Sequence, residues 1–223
     1  MKPLTQGILL DIDGTLVDSN DKHAQCWVDA FAKFGVNVGW DVIRQQIGKG
    51  GDLLVPDTLN ARQMREFGDE LKEYRGGLWK DKYMKTVQPF PGVVDSIRAL
   101  EARGIRLAFA SSSNPDEVEY YVELLGVGDL LEATTSKEDA QFSKPSPEIF
   151  QAALERLKSD PAFTFAVGDT PYDILAAHRI ALPVVAVRCG GFAEELLSKA
   201  EFVFDDVNAM TRELDRVDEY FSE

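Results

Sequence analysis

The stretch Gly7-Ile8-Leu9-Leu10-Asp11-Ile12-Asp13-Gly14-Thr15 decides how the rest of this chain is read. Four residues of apolar run lead straight into two carboxylates one residue apart. The run predicts a short buried strand that delivers acid groups to an open sheet edge. Side chains alternate along extended backbone, so Asp11 and Asp13 lie on one side. Carboxylates that close repel unless something positive sits between them. A hard cation with oxygen ligands, such as magnesium, meets that need. Gly14 lets the chain turn sharply. The same residues also fit a strand followed by an Asx-type turn, since Asp-Gly is a common turn pair.

Three further segments carry the same pattern. Ile105–Ala110 reads as a buried strand ending in Ser111, Ser112, Ser113 and Asn114, with a helix starting near Pro115. Hydroxyls and free N–H groups at a helix start can hold a phosphate, and Ser and Asn can equally serve as plain caps. In Ser143-Lys144-Pro145-Ser146-Pro147, Lys144 precedes a proline and belongs in extended loop, while Pro147 opens a helix over 148–158. Finally, a strand over 163–167 feeds Gly168 and Asp169, and Asp173 follows in the first turn of a helix, where the macrodipole favours an acid. In open α/β sheets, ligands bind beyond the carboxyl ends of the strands. Four strand ends carrying acids, hydroxyls and an ammonium are explained together by one phosphoryl-transfer site.

From Ile105 onward strands and helices alternate, which predicts an α/β chain with a doubly wound parallel sheet. Strands are expected at 105–111, 130–134, 163–167, 183–187 and 201–204. Helices are expected at 116–125, 148–158, 172–180 and, as one piece, 208–220. Between Val17 and Thr86 strand-like runs vanish and helix formers dominate. Trp27, Ala30, Phe31 and Phe34 share one helix face, and Met64, Phe67, Leu71 and Leu78 another. That insertion reads as a small helical bundle, with Phe90-Pro91-Gly92 returning to the core. Within it, Ile47-Gly48-Lys49-Gly50-Gly51-Asp52 is either a flexible turn or a loop that brings Lys49 to a substrate; the Walker spacing is missing. His23 sits near the hinge and could bond a substrate hydroxyl or shuttle a proton. Trp27, Trp40 and Trp79 read as core.

At 223 residues the chain accommodates one core domain plus an insertion. Its net charge of −14 disfavours nucleic-acid and anionic-membrane partners, which need surplus Lys and Arg. No apolar run is long enough to span a bilayer. A cleaved signal peptide would remove Asp11 and Asp13 and is not expected. Cys26 and Cys189 make neither a disulfide framework nor a metal pattern, and read as free thiols in a cytoplasmic protein.

Taken together, Asp11-x-Asp13-Gly14-Thr15, the strand-end Ser111, Lys144-Pro145 and Gly168-Asp169-x-x-x-Asp173 resemble the haloacid dehalogenase-like superfamily on its phosphatase side, with the β-phosphoglucomutase and phosphoglycolate phosphatase branches nearest. The resemblance implies a Rossmann-like core over 1–16 and 87–223 and a helical cap over 17–86. It implies Asp11 as nucleophile and Asp13 as general acid/base. Ser111 then grips the phosphoryl group and Lys144 neutralises it. Asp11, the backbone carbonyl of Asp13, and Asp169 would hold Mg2+, with Asp173 supporting them. Gly14, Thr15, Ser112, Ser113, Asn114, Lys49 and His23 are the expected substrate contacts. The expected activity is Mg2+-dependent hydrolysis of a small phosphorylated metabolite through an aspartyl-phosphate. A sugar-phosphate mutase using the same residues is the alternative; Gly168 before Asp169 departs from the mutase pattern. A non-catalytic phosphate-binding protein would have lost Asp11, Asp13 or Lys144, and none is lost.

Overall fold

The hydrophobic run at the N-terminus lies at the centre of the sheet. A computed structural model describes residues 4–221; the ends of the expected core, 1–3 and 222–223, lie outside them. The strands are β1 Gly7–Leu10, β2 Arg106–Ala110, β3 Ala133–Thr135, β4 Thr164–Gly168, β5 Val184–Val187 and β6 Phe202–Phe204. They pair in parallel in the order β3-β2-β1-β4-β5-β6. The order reverses at β1, where the chain switches from one half of the sheet to the other, and a crevice opens beyond that strand's carboxyl end. Asp11 and Asp13 follow β1 directly.

Strands buried on both faces must be apolar on both, and here the two faces differ in size. Ile8, Leu10, Leu107, Phe109, Phe165, Val167, Val185 and Val187 belong to one hydrophobic cluster. Leu9, Ala108, Ala110, Ala166, Val184 and Ala186 belong to the other. The large face packs against α5 (Val93–Ala102), α6 (Pro115–Leu125), α10 (Val207–Arg212) and α11 (Leu214–Tyr220). The small face receives α7 (Glu148–Leu157), α8 (Pro171–His178) and α9 (Glu194–Leu197). Each fully buried Leu, Ile or Phe stabilises by roughly 1.5–3 kcal/mol.

Between β1 and α5 lie only helices among the described residues: α1 (Asn20–Lys33), α2 (Trp40–Arg44), α3 (Gly51–Thr58) and α4 (Ala61–Leu78), then a wider π-helical turn, Trp79–Tyr83. Asn60 caps α4 through the backbone N–H groups of Arg62 and Gln63. This segment has its own apolar cluster, in which Trp27, Phe31, Ile43, Leu54, Val55 and Leu71 are buried. Its end is different: Trp79 and Val87 join the large face of the sheet. The two connecting segments run side by side, with Asp18 N donating to Gln88 O at 2.9 Å and Phe90 N to Leu16 O at 3.0 Å.

Three sequence expectations shift. The strand expected over 130–134 is shorter and later, because Gly128–Leu130 closes into a 3-10 turn first. The final helix is two, α10 and α11, separated at Glu213. Trp27 and Trp79 are buried as expected, Trp27 lining the cavity described below and Trp79 stacking on His23, whereas Trp40 is only half-buried at the edge of the inserted helices' cluster. No described helix is long and apolar enough to cross a membrane. Cys26 and Cys189 are both free.

Candidate active site

A single cavity of about 210 Å³ opens between the helical segment and the carboxyl ends of β1, β2 and β4. Asp11, Asp13, Ser111, Lys144 and Asp173 all line it, as do His23, Lys49, Ser112, Ser113 and Asn114. Gly14 turns with φ of +76°, and its backbone is so close to Asp169 that a Cβ there would fall 2.3 Å from Oδ2. This is the tight turn for which the sequence needs glycine. Thr15 Oγ1 lies 3.3 Å from both Asp11 Oδ2 and Asp169 Oδ1, bridging the β1 and β4 strand ends.

Lys144 is the centre of the charged group. Its Nζ lies 2.5 Å from Asp11 Oδ1, 2.7 Å from Asp173 Oδ1 and 2.9 Å from the carbonyl of Ala110. Burial alone would strip its proton, but Asp11 and Asp173 outweigh burial and hold it charged. Asp173 is also N3 of α8 in a capping box, accepting from Thr170 N at 3.1 Å and Thr170 Oγ1 at 2.5 Å. One oxygen of Asp173 therefore caps a helix while the other meets the lysine. Asp169, fully buried, accepts from Asn20 Nδ2 at 2.7 Å.

Asp11, Asp169 and Asp173 offer oxygens within 4.8 Å of one another. Three buried carboxylates against one ammonium leave a negative excess. Burial, reinforced by the neighbouring acids, lifts Asp11 to about 7 despite Lys144, and lifts Asp169 well above the carboxylate range. An all-oxygen donor set with surplus negative charge fits a hard divalent cation such as Mg2+. The Asp13 side chain points elsewhere, so any share it has in that ion falls to its backbone carbonyl.

Asp13 is held by three donors. Ser19 Oγ reaches Oδ1 at 2.6 Å, His23 Nε2 reaches Oδ1 at 2.9 Å, and Ser113 Oγ reaches Oδ2 at 2.9 Å. Burial pushes this carboxyl up, but His23 and the three hydrogen bonds override it and set it at about 2. The His23 tautomer follows from its other neighbour. Arg75 Nη2 lies 2.5 Å from His23 Nδ1, and a guanidinium can only donate. Nδ1 therefore accepts, and Nε2 carries the hydrogen that Asp13 receives. The ring stacks on Trp79 with centroids 3.7 Å apart. Glu117 Oε1 stands 3.7 Å from the same Nε2. Asp13, His23 and Glu117 also cluster within 4.8 Å, but a protonated Nε2 has no lone pair for a metal.

The strand-end hydroxyls divide their work. Ser111 Oγ accepts from Ser113 N at 3.0 Å, and Ser113 turns to Asp13. Asn114 is the N-cap position of α6 without a side-chain cap bond, which leaves it facing the cavity. The 47–52 loop is not a free turn. Asp52 accepts from Ser143 N at 3.1 Å and Ser143 Oγ at 2.6 Å, beside Lys144, and Tyr172 Oη donates to Gln45 O at 2.9 Å. Lys49 lines the cavity but is paired with Asp57 at 2.8 Å. Arg44 bonds Asp21 at 2.7 Å and the carbonyl of Gly190.

Sequence reading missed Asn20, Asp52, Arg75, Glu117 and Gly190. A Cβ on Gly190 would lie 1.8 Å from Asp169 Oδ2, so only glycine fits behind that carboxylate. None of these residues carries a local motif: Asn20, Asp52 and Glu117 act on residues more than 90 positions away, Arg75 acts within the inserted helices, and Gly190 meets Asp169 across the β4–β5 strand ends.

The chain has known relatives. Pyrophosphatase PpaX of Oceanobacillus iheyensis is 27% identical over 81% of this chain and 82% of its own length. Phosphoglycolate phosphatase of Agrobacterium fabrum is 26% identical over 94% of this chain and 92% of its own. The crystal structure of a hydrolase from Pseudomonas syringae shares the fold with a TM-score of 0.84 at 24% identity, over 96% of this chain and 99% of that one. A family model described as haloacid dehalogenase-like hydrolase matches residues 8–187, from β1, which Asp11 follows, to the last residue of β5. The protein thus belongs to the haloacid dehalogenase-like hydrolases.

Proposed function

We propose that this hydrolase of phosphoric monoesters is a Mg2+-dependent phosphatase working through an aspartyl-phosphate on Asp11. The observation that carries the reading is the position of Lys144: one buried ammonium touches Asp11 and Asp173 at the mouth of the sheet, in the same cavity as Asp13 and Ser111. An ammonium so placed shields an attacking carboxylate from the phosphate dianion it must approach.

Asp11 Oδ attacks phosphorus in line with the leaving oxygen. Ser111 and Lys144 hold the phosphoryl oxygens. Asp13 gives its proton to the leaving alcohol, then takes one from the water that hydrolyses the acyl phosphate. Its three donors keep it a carboxylate before substrate arrives, which is the form the second step needs. The incoming dianion, a like charge, raises its affinity for a proton, which Asp13 takes up from solvent before the first step donates it to the leaving oxygen. Asp11, Asp169 and Asp173, with the Asp13 carbonyl, would hold Mg2+, which supplies Lewis-acid neutralisation of the transferring group. Residues 1–16 and 87–223 act as the catalytic core. Residues 17–86 act as a cap that excludes water and whose attachment through residues 16–18 and 88–90 allows it to open.

Hydrolysis of an aryl phosphate with Mg2+ and with excess EDTA tests the activity. Asp11→Asn, with deamidation excluded by mass spectrometry, should abolish turnover, and full activity in that variant would remove Asp11 as nucleophile.

A further inference from the structure

The helical side of the cavity presents a cation with no counter-ion. Arg75, on α4, lines the cavity with its guanidinium carbon 4.9 Å from the Trp27 ring centroid and 5.3 Å from that of Trp79. Its Nη2 spends a hydrogen bond on the neutral His23, and its Nε is buried and donates to nothing. Among the described residues no carboxylate forms an ion pair with it. Three other cations around the cavity are matched. Lys49 pairs with Asp57 at 2.8 Å, Lys72 with Asp69 at 2.7 Å, and Lys144 with Asp11 and Asp173.

A guanidinium cannot shed its proton, so an arginine drawn out of water keeps its need for an anion. This chain carries 38 acidic residues against 24 basic ones, yet among the described residues the only acid near Arg75 is Glu117, and it makes no ion pair with it. Glu117 lines the same end, but burial first, with Asp13 beside it, pushes its carboxyl up to about 8, so at neutral pH it brings no charge. Lys137, whose ammonium is exposed, adds a further positive charge at the rim of the same cavity.

We infer that Arg75 receives an anionic group on the leaving portion of the substrate, so that the preferred substrates carry negative charge at both ends: a carboxylate or a second phosphate beyond the scissile bond. This rests on the phosphatase reading of the site. The 2.5 Å contact with His23 gives Arg75 a second task, since the anion it binds is then fixed relative to the imidazole that orients Asp13. The two aromatic faces restrict the guanidinium to a narrow range of positions.

The test compares four substrates: a phosphorylated 2-hydroxy acid, its neutral methyl amide, inorganic pyrophosphate, and an aryl phosphate with an uncharged ring. Wild-type kcat/KM should favour the hydroxy-acid ester over its amide by about 10- to 100-fold, the range of a charge-assisted hydrogen bond. Pyrophosphate against the acid identifies which anion the subsite takes. Arg75→Gln should bring the acid-to-amide ratio close to one, mostly through KM, and Arg75→Lys should restore part of it. A wild-type ratio near one overturns the inference and needs no variant. So does an Arg75→Gln enzyme that loses activity equally on acid and amide, which would leave Arg75 serving His23 alone. Absence of turnover on all four substrates, the aryl phosphate included, instead counts against the phosphatase reading itself.

Discussion

Glu117 provides a test of the buried charge pattern that requires no substrate. It is 3% exposed, its Oε1 makes no hydrogen bond, and the nearby Asp13 is an ionised carboxylate. Burial, then Asp13, raises its carboxyl from an ordinary 4.5 to about 8. Between those two values the folded chain keeps a proton that the unfolded chain has released. Stability from this group is therefore complete below about pH 4.5 and is lost as pH rises toward 8. Each pH unit inside the window costs about 1.4 kcal/mol, and the span from pH 5 to 7 costs about 2–3 kcal/mol. Glu117→Gln keeps the shape and removes the titration. Urea unfolding of both proteins at pH 5, 6 and 7 gives the comparison. The variant's stability relative to wild type should grow by about 2–3 kcal/mol across that range. A difference that stays constant with pH would mean that Glu117 is ionised in the folded state. It would then neutralise Arg75, and the argument for an unpaired guanidinium would fall with it.

Lys144→Ala should lower kcat by about 100-fold or more while far-UV circular dichroism stays native, because it removes the ammonium that shields Asp11; wild-type rates at saturating magnesium would remove Lys144 from the site. Gly190→Ala should raise the magnesium concentration needed for half-maximal activity by about tenfold, in the range seen when the support of a metal ligand is lost, since its Cβ would displace Asp169; an unchanged magnesium titration would show that Asp169 is not a ligand. Asp52→Ala removes both bonds to Ser143 and should raise KM more than it lowers kcat, because it frees the loop that closes over Lys144; stopped-flow binding of a phosphate analogue with unchanged rates would count against a closing role.

The fold was legible where a pattern is local. A run such as Ile8-Leu9-Leu10 can only be buried, and the alternation of runs with amphipathic stretches leaves few topologies open. Strand ends were legible for the same reason, so the residues at the carboxyl ends of β1, β2 and β4 could be grouped before their positions were known. The exceptions are local competitions. Around Leu130 a 3-10 turn takes residues whose composition also suits a strand. At Glu213 the last helix breaks although Met210, Leu214 and Val217 keep helical spacing and are all buried.

What the sequence hid is the environment of Asp13. As a residue type it reads as an acid/base group, but its charge state is set by Ser19, His23 and Ser113, and the state of His23 by Arg75. Three of these four lie in the inserted helices, and their spacing along the chain (19, 23, 75) follows no single helical period. Their meeting depends on α1 packing against α4 and on the return of the chain beside Val17. A strand-end motif thus names the reacting group, while the inserted helices decide whether that group holds a proton. Under the proposed mechanism the sheet side would supply the chemistry through Asp11 and Lys144, and the inserted helices, where Arg75 stands, would set its timing and its choice of leaving group.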